Sequence, residues 1–283
     1  MTLSILYRGP LSSCNYDCPY CPFAKHKDSR ETLATDATQL SRFINFIREQ
    51  KHITFRLFFT PWGEALIRPH YQKAITQLSH LDNVEKVAIQ TNLSCRLHWL
   101  NNADKTKIAL WTTYHPGQVD RNTFIGQCRQ LDKMGVAYSV GVVGFKETIE
   151  EIETLRKILP EEKYLWVNAL KKKDDYYTEE EKARLIAIDP HVTNNMIHHK
   201  SLGKNCRTGH TVISVDGEGN IYRCHFIKEK LGNLYEHDLK TILQPRTCTN
   251  TTCGCHIGYV HLSHLELDKI YKGKELERII DTN

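Results

Sequence analysis

From residue 1 to about residue 190 the chain alternates short, β-branched apolar runs with longer segments of helical character. That alternation restricts the fold more than any other feature. Strands are predicted over residues 3–8, 53–60, 84–91, 108–114, 137–143 and 164–169. Helices are predicted over residues 36–50, 68–80, 96–101, 121–134, 148–159 and 178–188. Thr35-Asp36 and Thr178 with Glu180-Glu181 carry N-terminal helix signals, and Gly135 after Lys133-Met134 carries a C-terminal one. Alternating β and α units join parallel strands through right-handed crossovers. Six units are too few to close an eightfold barrel, so the expectation is an α/β protein with a partial (β/α)6 barrel. In such a sheet the functional groups lie on loops at the carboxyl ends of the strands.

The pattern changes near residue 190, where Asp189-Pro190 ends the last helix. Residues 192–205 are polar and read as an irregular linker. Two short strands, 211–215 and 220–224, flank Asp216-Gly217-Glu218-Gly219, a hairpin signal. A short helix over 236–243, a cysteine-rich loop and a helical tail follow. The expected organisation is a barrel over 1–190 and a small C-terminal hairpin–helix cysteine-rich domain over 191–283.

Ten cysteines are unusual for a chain of 283 residues with no basic, apolar secretory signal at its start. A cytoplasmic setting is expected, where clustered cysteines ligate metal rather than pair as disulfides. Eight fall in two clusters, and Cys95 and Cys128 lie outside both. The net charge of +5 is too small for a nucleic-acid-binding face, and no apolar run is long enough for a membrane span. The densest basic run, Lys171-Lys172-Lys173, reads as a solvated loop.

The first cluster, Cys14-Asn15-Tyr16-Asp17-Cys18-Pro19-Tyr20-Cys21, directly follows the first strand. Three thiolates from one loop can hold three irons of a 4Fe–4S cluster and leave the fourth open. An electron-transfer cluster has four protein ligands, so an open iron points to chemistry. Zinc is the alternative, although it wants four ligands in paired spacing.

The spacing resembles that of the radical S-adenosylmethionine enzymes, over about residues 1–190. The resemblance implies a 4Fe–4S cluster on Cys14, Cys18 and Cys21, with S-adenosylmethionine bound through its methionine end to the open iron. It implies that Tyr20 packs on the adenine. Thr60-Pro61-Trp62-Gly63-Glu64 is similar to the family's GGE-type motif, with Trp62 replacing the first glycine, Gly63 allowing close backbone approach and Glu64 meeting the methionine amine. Asn92, in Gln90-Thr91-Asn92, would bond the ribose or methionine. Val140-Gly141-Val142-Val143-Gly144 resembles the family's GxIxG pattern, with Val142 touching adenine and Gly144 letting the strand end crowd the cofactor. His115 faces the same barrel mouth.

Cys206, Cys224, Cys248, Cys253 and Cys255 surround the hairpin in a way that resembles the twitch form of the SPASM/twitch extensions. That implies a second, auxiliary 4Fe–4S cluster on Cys206, Cys224 and two of the other three, the choice being open; His225 and His256 are further candidates. A structural zinc site is the alternative. The implied activity is an oxidoreductase or maturase. It would generate a 5′-deoxyadenosyl radical to take hydrogen from a small-molecule or peptide substrate, with a flavodoxin- or ferredoxin-type reductant. The rival readings are a non-catalytic metal-binding or electron-transfer protein, and a zinc-stabilised nucleic-acid-binding module.

Overall fold

Six strands, β1 (Thr2–Arg8), β2 (Thr54–Phe59), β3 (Val84–Thr91), β4 (Ile108–Tyr114), β5 (Ala137–Gly144) and β6 (Leu165–Ala169), lie side by side in chain order. Every neighbouring pair is parallel. The structure is a computed structural model describing residues 1–24, 26–171 and 175–280, so Lys172 and Lys173 of the basic run lie outside the described residues. Helices α1 (Arg30–Glu49), α2 (Pro69–Ser79), α3 (Arg121–Met134), α4 (Ile149–Ile158) and α5 (Glu179–Ile188) bury their apolar stripes against one face of the sheet. Between β3 and β4 the expected helix is a 3-10 segment, Leu97–Asn102.

The helix signals act where chemistry requires. Gly135 ends α3 at φ 68°, a left-handed conformation that glycine adopts without a Cβ clash. Thr178 and Glu181 form a reciprocal capping box on α5. The start of α1 differs from expectation. Ser29 caps it by accepting from the Thr32 amide, and Asp36 lies within the helix, fully buried. The carboxylate that resembles a cap points instead into the loop above the barrel.

After α5, the stretch expected to be irregular holds α6 (Val192–Met196), β7 (His199–Lys200) and β8 (Asn205–Cys206). The hairpin is present as β9 (Val212–Asp216) and β10 (Asn220–Tyr222). β9 pairs in parallel with β1, so the hairpin and β11 (Lys230–Asn233) continue the barrel sheet to nine strands. Next come α7 (Leu239–Ile242), β12 (Arg246–Thr247) on β8, β13 (Thr252–Cys253) on β7, α8 (His256–Tyr259) and α9 (Asp268–Tyr271). These elements fill the concave face. Phe58, Ala88, Trp111 and Trp166 of the strands meet Ile257, Tyr259, Leu262, Tyr271 and Leu276 in a second core. The tail is pinned to the barrel by Arg56 to Glu277 at 2.8 Å and by Ser139 Oγ donating to the Glu277 carbonyl at 3.0 Å. Among the described residues no helix is long and apolar enough to cross a membrane.

Candidate functional site

The cysteine loop leaves β1 at the carboxyl end of the sheet, and two buried carboxylates hold its first half. Asp28 accepts from the Ser12 and Ser13 amides at 2.9 and 2.8 Å and from both hydroxyls at 2.8 and 2.7 Å. Burial opposes its charge, but these serine bonds leave its pKa below the ordinary carboxylate range. Asp36 accepts from Tyr71 at 3.2 Å and the Leu11 amide at 3.4 Å, and pairs with His70 at 2.8 Å. The Cys21 amide closes a turn on the Cys18 carbonyl at 3.0 Å.

Gly63 packs directly on this loop. A Cβ there would overlap the Ser13 carbonyl, and the adjacent Glu64 amide donates to that same oxygen at 3.1 Å. The close approach expected of Gly63 is therefore made to the cysteine loop. Gly63→Ala is expected to cost about 2 kcal/mol or more, because two backbones must separate. A thermal melt beside the parent protein checks this.

The three cysteines open onto a cavity of about 560 Å³ over the concave face, which Tyr20, Trp62, Gly63, Glu64 and Asn92 also line. Glu64 is buried beneath the cysteine loop. Its Oε1 accepts from the Leu66 amide and the Thr91 hydroxyl, both at 2.9 Å, and its Oε2 accepts from the Asn92 amide at 2.6 Å. Burial raises its pKa to about 7, although those donors pull the other way. Asn92 turns its side-chain amide to Asn15 Oδ1 at 3.1 Å and lies 3.8 Å from the Cys14 sulfur. The pairing of Glu64 and Asn92 was not legible in the sequence.

Tyr20 meets His115 Nδ1 at 2.7 Å, with Phe145 5.0 Å away between ring centroids. Burial lowers the His115 pKa to about 4 and raises that of Tyr20. The pair is therefore a phenol donating to a neutral imidazole. His115 is tied to the expected adenine-packing residue, a role its lone position in the sequence did not reveal. Trp62 packs against Phe23, tilted by 43° with ring centroids 4.4 Å apart, and carries the Arg8 guanidinium at 3.9 Å.

Two expectations on β5 are corrected. Val142 faces the helices in the outer core, and Gly144 lies against Val167 and Tyr177, so neither lines the cavity. The strand's period of two puts Val143 inside, and Phe145 follows it beyond the strand end. A one-residue shift in reading the motif exchanges the faces.

The C-terminal cysteines divide. Cys206, Cys224, Cys248 and Cys253 are near neighbours: burial raises the Cys224 and Cys253 pKa values to about 11 and 12, with Cys206 and Cys248 adding to the first shift and Cys224, Cys255, Cys248 and Cys206 to the second. β8 against β12 brings Cys206 beside the strand that leads to Cys248. Gly258 gives α8 the room to pass the Cys253 sulfur. Cys255 lines the large cavity, where Lys171, Arg278 and Arg8 act on it, and its sulfur also acts on Cys253. His225 is occupied between the Thr60 and Ser214 hydroxyls at 2.7 and 2.5 Å. Among the described residues, no three His, Cys, Asp or Glu side chains are placed to hold a single metal ion. Cys95 and Cys128 are buried in the outer core, and burial raises both pKa values to about 12.

A partial parallel barrel with a three-cysteine loop at the carboxyl end of β1 and a cysteine-bearing C-terminal region on its concave face defines the class. No family model and no curated protein match the chain. Solved structures do. The chain matches anSMEcpe with bound AdoMet and Kp18Cys peptide at TM-score 0.59 and 13% identity, covering 98% of each chain. The complex with Cp18Cys peptide gives 0.56 at 15% identity over 98% of this chain and 88% of that one. The histidine-tagged form with bound AdoMet gives 0.57 at 14% identity over 98% and 85%. These neighbours are radical S-adenosylmethionine enzymes, and this chain has their fold.

Proposed function

We propose that the protein is a radical S-adenosylmethionine enzyme acting on a substrate held in the cavity over the concave face. One observation carries the reading: three cysteines of a single loop and a buried carboxylate on the neighbouring strand end open onto one cavity. The donor set fits the implied groups. Cys14, Cys18 and Cys21 would hold a 4Fe–4S cluster with one iron open, and Glu64 is placed for the methionine amine. When bound, the cluster supplies the electron that splits S-adenosylmethionine into methionine and a 5′-deoxyadenosyl radical.

The chain's own residues bind, orient and shield. Thr91, Asn92 and Leu66 fix the Glu64 carboxylate so that it keeps its place as a counter-charge for an ammonium. Asn92 is shared between that carboxylate and the Cys14 loop, so amine recognition and cysteine geometry are set together. Tyr20, locked by His115, and Phe145 present aromatic surface for the adenine, the place expected of Tyr20. Trp111 and Trp166 also line the cavity. A flavodoxin- or ferredoxin-type protein would serve as electron source, and the substrate would be a small molecule or a peptide segment.

The twitch-like region would hold a second 4Fe–4S cluster on Cys206, Cys224, Cys248 and Cys253. Cys253→Ser is expected to remove about four irons per chain, while Cys255→Ser keeps about eight. Iron assay of anaerobically reconstituted protein checks this, and equal loss in both variants would contradict the assignment. The functional reading itself is tested by electron paramagnetic resonance. Adding S-adenosylmethionine to the dithionite-reduced protein is expected to change the spectrum of one cluster; an unchanged spectrum contradicts binding at an open iron.

A further inference from the structure

Arg278 is an unusual residue in the wall of the cavity. It is 3% exposed, its backbone is held at φ 50°, and it lies on the tail that closes the concave face. Its guanidinium sits over Trp166 at 4.1 Å and Trp111 at 5.2 Å, so both rings stabilise the cation. Its Nε has no hydrogen-bond partner. Tyr271 shares a hydrogen bond with the guanidinium, Tyr259 and Tyr164 lie close by, and the carboxylate whose charge reaches it, Asp189, already accepts from Tyr164, the Val167 amide and the His191 amide. Among the described residues none forms an ion pair with Arg278. A buried guanidinium with a free donor and no paired carboxylate is costly unless something else supplies the anion.

His256 lines the same cavity, and Lys171 lies close enough for its charge to reach both His256 and Arg278. His256 is 2% exposed, and its Nε2 lies 3.4 Å from the Glu275 carbonyl while its Nδ1 has no partner. With Nε2–H donated to that carbonyl, Nδ1 is left as an acceptor. Lys171 lies beside Cys255 and spends one donor on the Asn195 carbonyl at 2.6 Å, which leaves two. Arg278 and His256 line the same cavity as the cysteine loop and are not among the residues assigned to S-adenosylmethionine.

We propose that this wall is an oxyanion site for the substrate: Arg278, seconded by Lys171, takes a carboxylate or phosphate, and His256 Nδ1 accepts from a hydroxyl or amide of the same molecule. The proposal rests on the functional reading above and narrows its substrate to an acid. Arg278 suits this task because its planar fork matches two oxygens at once. The aromatic rings beside it exclude water and so strengthen each bond that it makes.

Isothermal titration calorimetry of the reconstituted protein with S-adenosylmethionine present, using succinate and inorganic phosphate as probes, tests the site. Saturable binding is expected, weaker by about tenfold or more in Arg278→Gln and by about threefold in Lys171→Gln. Preference for succinate assigns a carboxylate, and preference for phosphate assigns a phosphate; either supports the site. Should Arg278→Gln not fold, as judged by circular dichroism, the Lys171→Gln comparison decides. Absence of saturable binding to the parent, or equal affinity in the folded variants, would overturn the proposal. Probe binding that appears only when S-adenosylmethionine is left out would also overturn it, because the anion would then occupy the cofactor's place. Anion binding that survives in protein unable to bind S-adenosylmethionine would sink the functional reading and leave the anion site standing.

Discussion

Cys18→Ala protein, reconstituted anaerobically, is expected to hold about four irons per chain where the parent holds about eight, as two four-iron clusters imply. The loss should be complete for one cluster and nil for the other. The three N-terminal thiols belong to a loop tied down by Asp28 and Asp36, with no C-terminal cysteine among the charges that act on Cys14. The C-terminal cysteines form a separate group, in which Cys206 and Cys248 act on Cys224, and Cys224, Cys255, Cys248 and Cys206 act on Cys253. The remaining cluster of the variant should be indifferent to S-adenosylmethionine. Iron and sulfide assays with electron paramagnetic resonance read both results. Loss of all iron would mean that the two sites fold as one unit; full retention would remove Cys18 from the ligand set.

Glu64→Gln is expected to weaken S-adenosylmethionine binding by roughly ten- to a hundredfold, the range for removing the charge from a buried, charge-assisted hydrogen bond. Gln is the better probe than Ala. Ala would strand the Leu66, Thr91 and Asn92 donors, each costing about 1–3 kcal/mol. The pH dependence gives a second test. Burial lifts the Glu64 pKa from its ordinary 4.5 to about 7 in the cofactor-free protein. Below that value the carboxyl is neutral and offers no counter-charge, so affinity should fall as pH drops through 7 and level off above it. The stability effect has the opposite sign. The folded state holds the proton more tightly than the unfolded chain, so Glu64 costs stability as pH rises from about 4.5 to 7. Glu64→Gln should flatten both profiles. Equilibrium dialysis at several pH values checks the first and denaturant titration the second. A parent affinity that does not vary between pH 6 and 8 would contradict the role given to Glu64.

Much of the barrel was legible because local chemistry and global fold agree there. β-branched runs, a capping box at Thr178 and a left-handed glycine at 135 each mark a boundary where the structure has one. The start of α1 was misread because Asp36 has the chemistry of a cap but serves as a buried acceptor for the loop above it. The parallel pairing of β9 with β1 joins segments about two hundred residues apart, and no local pattern encodes it. On β5 the face was misread, with Val142 and Gly144 turned away from the cavity, since that strand holds no charged residue and alternation leaves no mark. Cysteine spacing grouped the C-terminal cysteines but left their partition open. Cys253 ends β13 while Cys255 caps α8, so residues two apart belong to different elements. Arg278 carries no motif at all; its place follows from the tail folding back across Trp111 and Trp166.

The central claim is most directly tested by incubating the anaerobically reconstituted protein with dithionite and S-adenosylmethionine and separating the products by chromatography. The account predicts methionine and 5′-deoxyadenosine in equal amounts, absent from the Cys18→Ala variant. Protein that holds its full iron and binds S-adenosylmethionine yet forms no 5′-deoxyadenosine would contradict it.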